Sequence, residues 1–126
     1  MDISDGNILT RRIIGLAMRV HTCLGPGLLE NAYEHCLCHE FDQNPIAYAR
    51  QVALPLNYDG TVLDCGYRAD IIVENNVILE LKSVEHILPL HEAQLLTYLR
   101  LSRCRIGLLL NFNTLSLKDG IRRRVL

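Results

Sequence analysis

Residues 67–83 read YRADIIVENNVILELKS, two runs dominated by Ile, Val and Leu on either side of an Asn-Asn pair. This pattern points to a β-hairpin, because aliphatic and β-branched side chains pack on a pleated surface and Asn tolerates the backbone of a tight turn. Asp70, Glu80 and Lys82 sit inside these runs, placing three charges where the chain is building its core. Strand side chains alternate faces, so Glu80 and Lys82 point the same way, roughly 6.6 Å apart along the strand. Asp70 joins them only in certain registers. Opposed residues share a face, and positions 70 and 80 oppose one another only if the loop holds an odd number of residues. A loop of Glu74, Asn75 and Asn76 meets that condition, with an Asn taking the left-handed conformation. A loop of Asn75 and Asn76 alone would send the two carboxylates to opposite faces.

Two carboxylates converging in apolar surroundings cost several kcal/mol unless something cationic neutralises them. A hard divalent cation does so, since Mg²⁺ takes carboxylate oxygens and keeps waters for a phosphate substrate. The same residues also suit a hairpin with one solvated face and a cross-strand Glu–Lys pair. The spacing Asp-x9-Glu-x-Lys does not by itself separate these readings.

The rest of the chain supplies elements for that hairpin to pack against. Apolar residues Ile13, Leu16, Ala17, Val20 and Leu24 recur at helical spacing over 8–24. The sequence GPG at 25–27 ends that helix, and a second runs over about 28–41, burying Leu29, Ala32, Tyr33, Cys36, Leu37 and Phe41. Residues 51–58 read as a strand that Pro55 confines to an edge or a bulge, with a turn at Asp59-Gly60. Further strands are expected over 62–73 and 77–82, a loop over 83–89 and a third helix over 90–101. The apolar run IGLLLNF, 106–112, reads as a strand covered on both faces. The order α-α-β-β-β-α-β predicts an α/β sandwich around a mixed sheet. At 126 residues the chain is long enough for one real core and too short for two, so 1–126 reads as a single domain.

Composition restricts function only weakly. No apolar run approaches the ~18 residues of a membrane span, and the N-terminus starts acidic, without the layout of a signal peptide. Five cysteines, an odd number without framework spacing, suit reduced thiols and hence a cytoplasmic protein. The net charge of −1 does not advertise a nucleic-acid binder. Arginines cluster at 11, 12 and 19, at 100, 103 and 105, and at 122–124, which charge alone reads as a solvated surface. The run HCLCH, 35–39, suggests zinc, but on a helix His35 and His39 share a face from which Cys36 and Cys38 point away. No cysteine sits in an evidently activating setting for a nucleophile.

Two other stretches carry polar groups that could converge on the hairpin. GLLENAY, 27–33, puts Glu30 and Tyr33 three residues apart on one helical face. HEAQLLTYL, 91–99, puts His91, Gln94 and Tyr98 on one face of the third helix. With these residues in view the chain resembles the GxxExxY family, a branch of the PD-(D/E)XK nuclease-like superfamily. The naming motif stands as Gly27, Glu30 and Tyr33, and the superfamily signature as Asp70, then Glu80-Leu81-Lys82, then Gln94. The likeness runs from VHTCLGPGLLENAYEHCL to GLLLNFN, nearly the whole chain, with Ala69 standing where the signature has Pro.

The resemblance implies a restriction-endonuclease-like αβββαβ core and a metal-dependent phosphodiesterase site. Asp70 and Glu80 would hold Mg²⁺ or Mn²⁺, helped by the backbone carbonyl of Leu81, and Glu30 would supply a third carboxylate directly or through water. Lys82 would orient the attacking water and stabilise charge on the phosphate, and Gln94 would position groups around it. The expected substrate is nucleic acid, DNA first. So small a domain has little surface for gripping a duplex, which suggests a homodimer or a protein partner. The rival reading is a catalytically silent module that binds nucleic acid or a protein partner on the same fold.

Overall fold

The computed structural model describes residues 3–126, so Met1 and Asp2, part of the acidic start, lie outside it. Helix α1, Ile3–Leu24, and helix α2, Glu30–Gln43, lie on one face of a five-stranded mixed sheet. The chain then forms β1 (Tyr48–Ala53), a short antiparallel ribbon of β2 (Leu56–Tyr58) and β3 (Thr61–Leu63), and the hairpin β4 (Arg68–Val73) and β5 (Val77–Lys82). Helix α3, Pro89–Ser102, crosses over to β6 (Ile106–Asn111), which lies parallel to β5. A 3₁₀ turn, Leu117–Gly120, leads into β7 (Ile121–Val125), antiparallel to β6. The sheet order is β1-β4-β5-β6-β7. This mixed sheet flanked by helices is the α/β arrangement the element order predicts, and it is consistent with the restriction-endonuclease-like core that the resemblance implies.

The sheet divides the apolar side chains into two cores. Ile13, Ala17, Val20, Tyr33, Leu37 and Phe41 of α1 and α2 pack on Ile71, Leu79, Leu81, Leu108 and Leu110. Leu95, Tyr98 and Leu99 of α3 pack on Ile78 and Leu109. All six residues of β6 are buried, as expected for a strand covered on both faces. α3 lies so close to β6 that a Cβ added at Gly107 would meet the Leu95 side chain at 2.8–3.2 Å.

Leu29, expected on the buried side of the second helix, is instead 81% exposed just before α2, and three expectations about the strands change. The strand expected over 51–58 is two strands in two sheets, and so is the strand expected over 62–73. Proline at 55 cannot donate to a ladder, and the chain leaves the main sheet there after Leu54 donates to the Tyr67 carbonyl at 2.8 Å. At the second break the Gly66 amide donates to Asp64 Oδ1 at 3.0 Å, a side-chain-stabilised turn that interrupts the run. The third is an addition: β7 escaped the sequence reading because its sequence, IRRRV, is mostly charged. Its arginines serve the fold. Arg122 donates to the carbonyls of Asp119 and Ile121, Arg123 to Asn7, and Arg124 forms an ion pair with Glu92 of α3.

Candidate nuclease site

The hairpin loop is Glu74, Asn75 and Asn76, since Val73 pairs with Val77 and Ile71 with Leu79. Both Glu74 and Asn75 have positive φ, 52° and 55°, where one left-handed Asn was expected. The next opposed pair in this register is Asp70 and Glu80, and here the side chains take over from the ladder. The Asp70 amide donates to Glu80 Oε2 at 2.7 Å, and the Leu81 amide donates to Asp70 Oδ2 at 2.8 Å. Both carboxylates are thereby drawn into the gap where β4 and β5 part. The alternation of β4 breaks at the same place, since Ala69 packs with the α3 core although it is in phase with Ile71.

This placement is electrostatically costly. Glu80 is only 6% exposed, and burial followed by the charge of Asp70 pushes its pKa up to about 8. Hydrogen bonding from the Asp70 amide and the charge of Lys82 oppose the rise. Asp70 is also raised, chiefly by burial, with the Leu81 amide pulling the other way. Lys82 lies two residues beyond Glu80, half-buried, and makes no direct salt bridge among the described residues. Its backbone carbonyl accepts from the Phe112 amide at 2.9 Å, which ties the end of β5 to the end of β6.

The start of α2 is fastened to the same end of the sheet. Gly27, at φ 103°, adopts a backbone that L side chains rarely take. Tyr33 is fully buried and stacks on Phe112 with ring centroids 4.4 Å apart. Its hydroxyl donates to the Gly25 carbonyl at 2.6 Å and accepts from the Leu28 amide at 3.1 Å. The Ser83 hydroxyl donates to the Leu28 carbonyl at 2.7 Å, and Glu30 Oε1 accepts from the Ser83 amide at 3.4 Å. Glu30 thus stands beside the strand that carries Glu80 and Lys82, in an open cleft of about 590 Å³ lined also by Leu29, Ser83 and Asn113. The motif spacing has a physical reading: Gly27 turns the chain, Tyr33 clamps the turn, and Glu30 is held at the mouth.

A family model described as the PD-(D/E)XK nuclease superfamily matches residues 7–124. The chain belongs to this superfamily. No curated protein and no solved structure matches the chain. PD-(D/E)XK proteins are usually nucleases that use divalent metals such as Mg²⁺, so the donor set can be tested against such an ion. Oδ2 of Asp70 and Oε2 of Glu80 are taken by backbone amides, while Oδ1 and Oε1 accept no hydrogen bond among the described residues. Two carboxylates with raised pKa, each with an oxygen to spare, fit a hard cation that completes its shell with water. Among the described residues no three His, Cys, Asp or Glu side chains come close enough together to hold a metal, so Glu30 does not form one cluster with the pair.

The superfamily signature also places Gln94, on α3. There it is exposed and donates to the Tyr98 hydroxyl at 3.1 Å, without a hydrogen bond to either carboxylate. Tyr98 is the closer neighbour, its phenol pKa raised by burial and then by the charges of Glu80 and Asp70. His91 faces its own helix end, where its Nδ1 accepts from the Leu88 amide at 3.0 Å and caps α3.

Glu34 was not singled out by sequence reasoning. One turn after Glu30, it is buried and accepts from Arg50 Nε and Nη2 at 2.8 and 2.5 Å. Gln51 Nε2 adds bonds of 3.1 and 3.3 Å. Its charge raises both Asp70 and Glu80, and for Asp70 it counts for more than Glu30. Gln51 sits opposite Asp70 in the β1–β4 register, between the pairs Arg50–Ile71 and Val52–Ala69, with φ at 51°. The available signal was the spacing of Glu30 and Glu34, which stacks two carboxylates on one helical face.

Proposed function

We propose that this chain is a Mg²⁺- or Mn²⁺-dependent nuclease of the GxxExxY branch, hydrolysing phosphodiester bonds of nucleic acid, with DNA as the expected substrate. The observation that carries this reading is the crossed pairing of Asp70 and Glu80 with each other's strand. It forces together two carboxylates of raised pKa with no cation in direct contact among the described residues. Asp70 and Glu80 would hold the ion with the Leu81 carbonyl, and Glu30, which stands apart from the pair, would join through water. When bound, such an ion lowers the pKa of water and offsets charge building on the phosphate. Lys82 orients the attacking water and donates to the phosphate oxygens, its ammonium being a compact charge with rotatable donors. Gln94, through Tyr98, positions groups on the α3 side. The 126 residues act as one nuclease-like domain in the cytoplasm, paired with a second copy or a protein partner when gripping a duplex.

The test is Mg²⁺ titration with plasmid and single-stranded substrates, using wild type, Glu80→Ala and Lys82→Arg. Glu80→Ala should abolish metal-dependent cleavage. Lys82→Arg should keep charge, fold and metal binding while losing roughly 10²-fold in turnover. Wild type that binds nucleic acid without cleaving it under any divalent metal would make the chain a silent module. Full activity in Lys82→Arg would remove the lysine from the mechanism.

A further inference from the structure

A second cleft, of about 330 Å³, opens between the β2–β3 ribbon and α3, with Leu56, Tyr67, Gln94, Thr97 and Tyr98 in its walls. The Tyr67 and Tyr98 rings are 6.2 Å apart and tilted by 58°, so they do not cover one another face to face. Tyr67 remains 40% exposed, while Tyr98 is buried and fixed by Gln94. The side-chain oxygen of Gln94, Oε1, accepts no hydrogen bond among the described residues. The cleft therefore offers an exposed aromatic ring, an apolar wall and an amide acceptor.

Its position sets what those groups can meet. Tyr67 precedes Asp70 by three residues on an extended chain, a separation of about 10 Å. Tyr98 packs in the same core as Ala69, the neighbour of Asp70, and Ile78, two residues before Glu80. The cleft thus adjoins the carboxylate pair on the α3 side. Arg68 follows Tyr67 with its side chain exposed; Nη1 makes a long 3.5 Å hydrogen bond to the Gln51 carbonyl, and the rest of the guanidinium is left to meet a phosphate. A flat group with hydrogen-bonding edges, tethered to a phosphate at that distance, is a nucleobase. A base inside a duplex has both faces stacked and its edge paired, so only an unpaired one can enter.

We infer that the Tyr67–Tyr98 cleft takes an unpaired nucleobase next to the scissile phosphate, so that the chain prefers single-stranded or flapped nucleic acid. This deepens the nuclease reading and rests on it for the place of the phosphate. The test uses the full chain in Ca²⁺ with a single-stranded DNA oligonucleotide carrying 2-aminopurine, and the same strand in a duplex. Wild type and Tyr67→Phe should quench the fluorophore on binding the single strand. Tyr67→Ala, at a partly exposed position that leaves the melting temperature near wild type, should lose the quench and about tenfold in single-strand affinity while duplex affinity stays. Glu80→Ala should keep the quench while abolishing cleavage in Mg²⁺. A Tyr67→Ala protein that behaves as wild type, or loses affinity equally for both substrates, overturns the inference, as does absence of quenching in wild type. Quenching that depends on Tyr67 without any cleavage by wild type would support the cleft while sinking the nuclease reading.

Discussion

The backbone amide of Asp70 donates to the Glu80 carboxylate at 2.7 Å, while the Asp70 carboxylate accepts from the amide just beyond Glu80, that of Leu81, at 2.8 Å. Main-chain donors on each strand therefore fix the side chain of the other. The carboxylates are held by the ends of a hairpin ladder, which costs far less side-chain entropy at the moment of binding than two free rotors would.

Metal and proton should compete for this pair. With Glu80 raised to about 8, much of the protein carries a proton there at neutral pH, and that proton must leave before a cation enters. Mg²⁺ affinity should climb as pH rises from 6 and level off above about 8. Calorimetry in buffers of different ionisation heat should register proton release at pH 7. Affinity that stays flat over this range would dissociate the pair from metal binding.

The metal-free fold should lose stability with rising pH. A carboxyl whose folded pKa lies above its ordinary 4.5 binds its proton more tightly in the folded state. The associated stability is fully present below that ordinary value and lost as pH rises through about 8. Asp70→Asn keeps an acceptor for the Leu81 amide and removes the second-largest cause of the Glu80 shift. It should stabilise the metal-free protein at pH 8 by about 1 kcal/mol, a few degrees in melting temperature, and remove Mg²⁺-dependent stabilisation. Thermal melts at pH 5 and pH 8 with EDTA or Mg²⁺ decide the matter; equal pH slopes in wild type and variant would contradict it.

Arg50 neutralises Glu34 through two guanidinium nitrogens, and Glu34 is almost fully buried. Arg50→Ala should cost about 2 kcal/mol, less than a fully buried pair because the arginine is one-third exposed. Arg50→Lys should recover only part, since the two-pronged contact is lost. With Glu34 uncompensated beside Asp70, the rise of Mg²⁺ affinity with pH should also shift to higher pH. Urea denaturation and the metal titration measure the two effects; a variant as stable as wild type would show that the pair is dispensable.

Tyr33→Phe keeps the stack on Phe112 and removes the two hydrogen bonds that clamp the turn before α2. The expected loss is about 1–2 kcal/mol. Because the turn positions Glu30, cleavage should fall further than the small change in fold explains, toward the level of Glu30→Gln. Activity equal to wild type at a temperature well below both melting points would confine Tyr33 to a packing role.

The residues alone determined the local elements and the chemistry of the hairpin. Periodicity located three helices, the unbroken aliphatic run of β6 announced a strand buried on both faces, and loop parity limited the registers that let Asp70 meet Glu80. Each of these rests on neighbours within a few positions, where steric and hydrophobic rules act directly. Tertiary structure decided what depends on distant partners. It split two expected strands at Pro55 and Asp64–Gly66, where the chain crosses between two sheets and the Leu54 amide meets the Tyr67 carbonyl, a pairing across 13 residues that local propensity does not announce. It made a strand of an arginine-rich tail, since pairing with β6 outweighed composition. It brought Glu34, Arg50 and Gln51 together beside Asp70 and left Gln94 on Tyr98. Their spacing along the chain, 16 and 17 residues between Glu34 and its partners, carries no trace of that meeting. Charge interactions fall off with distance in space and not in sequence, so the electrostatics of the pair could be read only after the chain had folded.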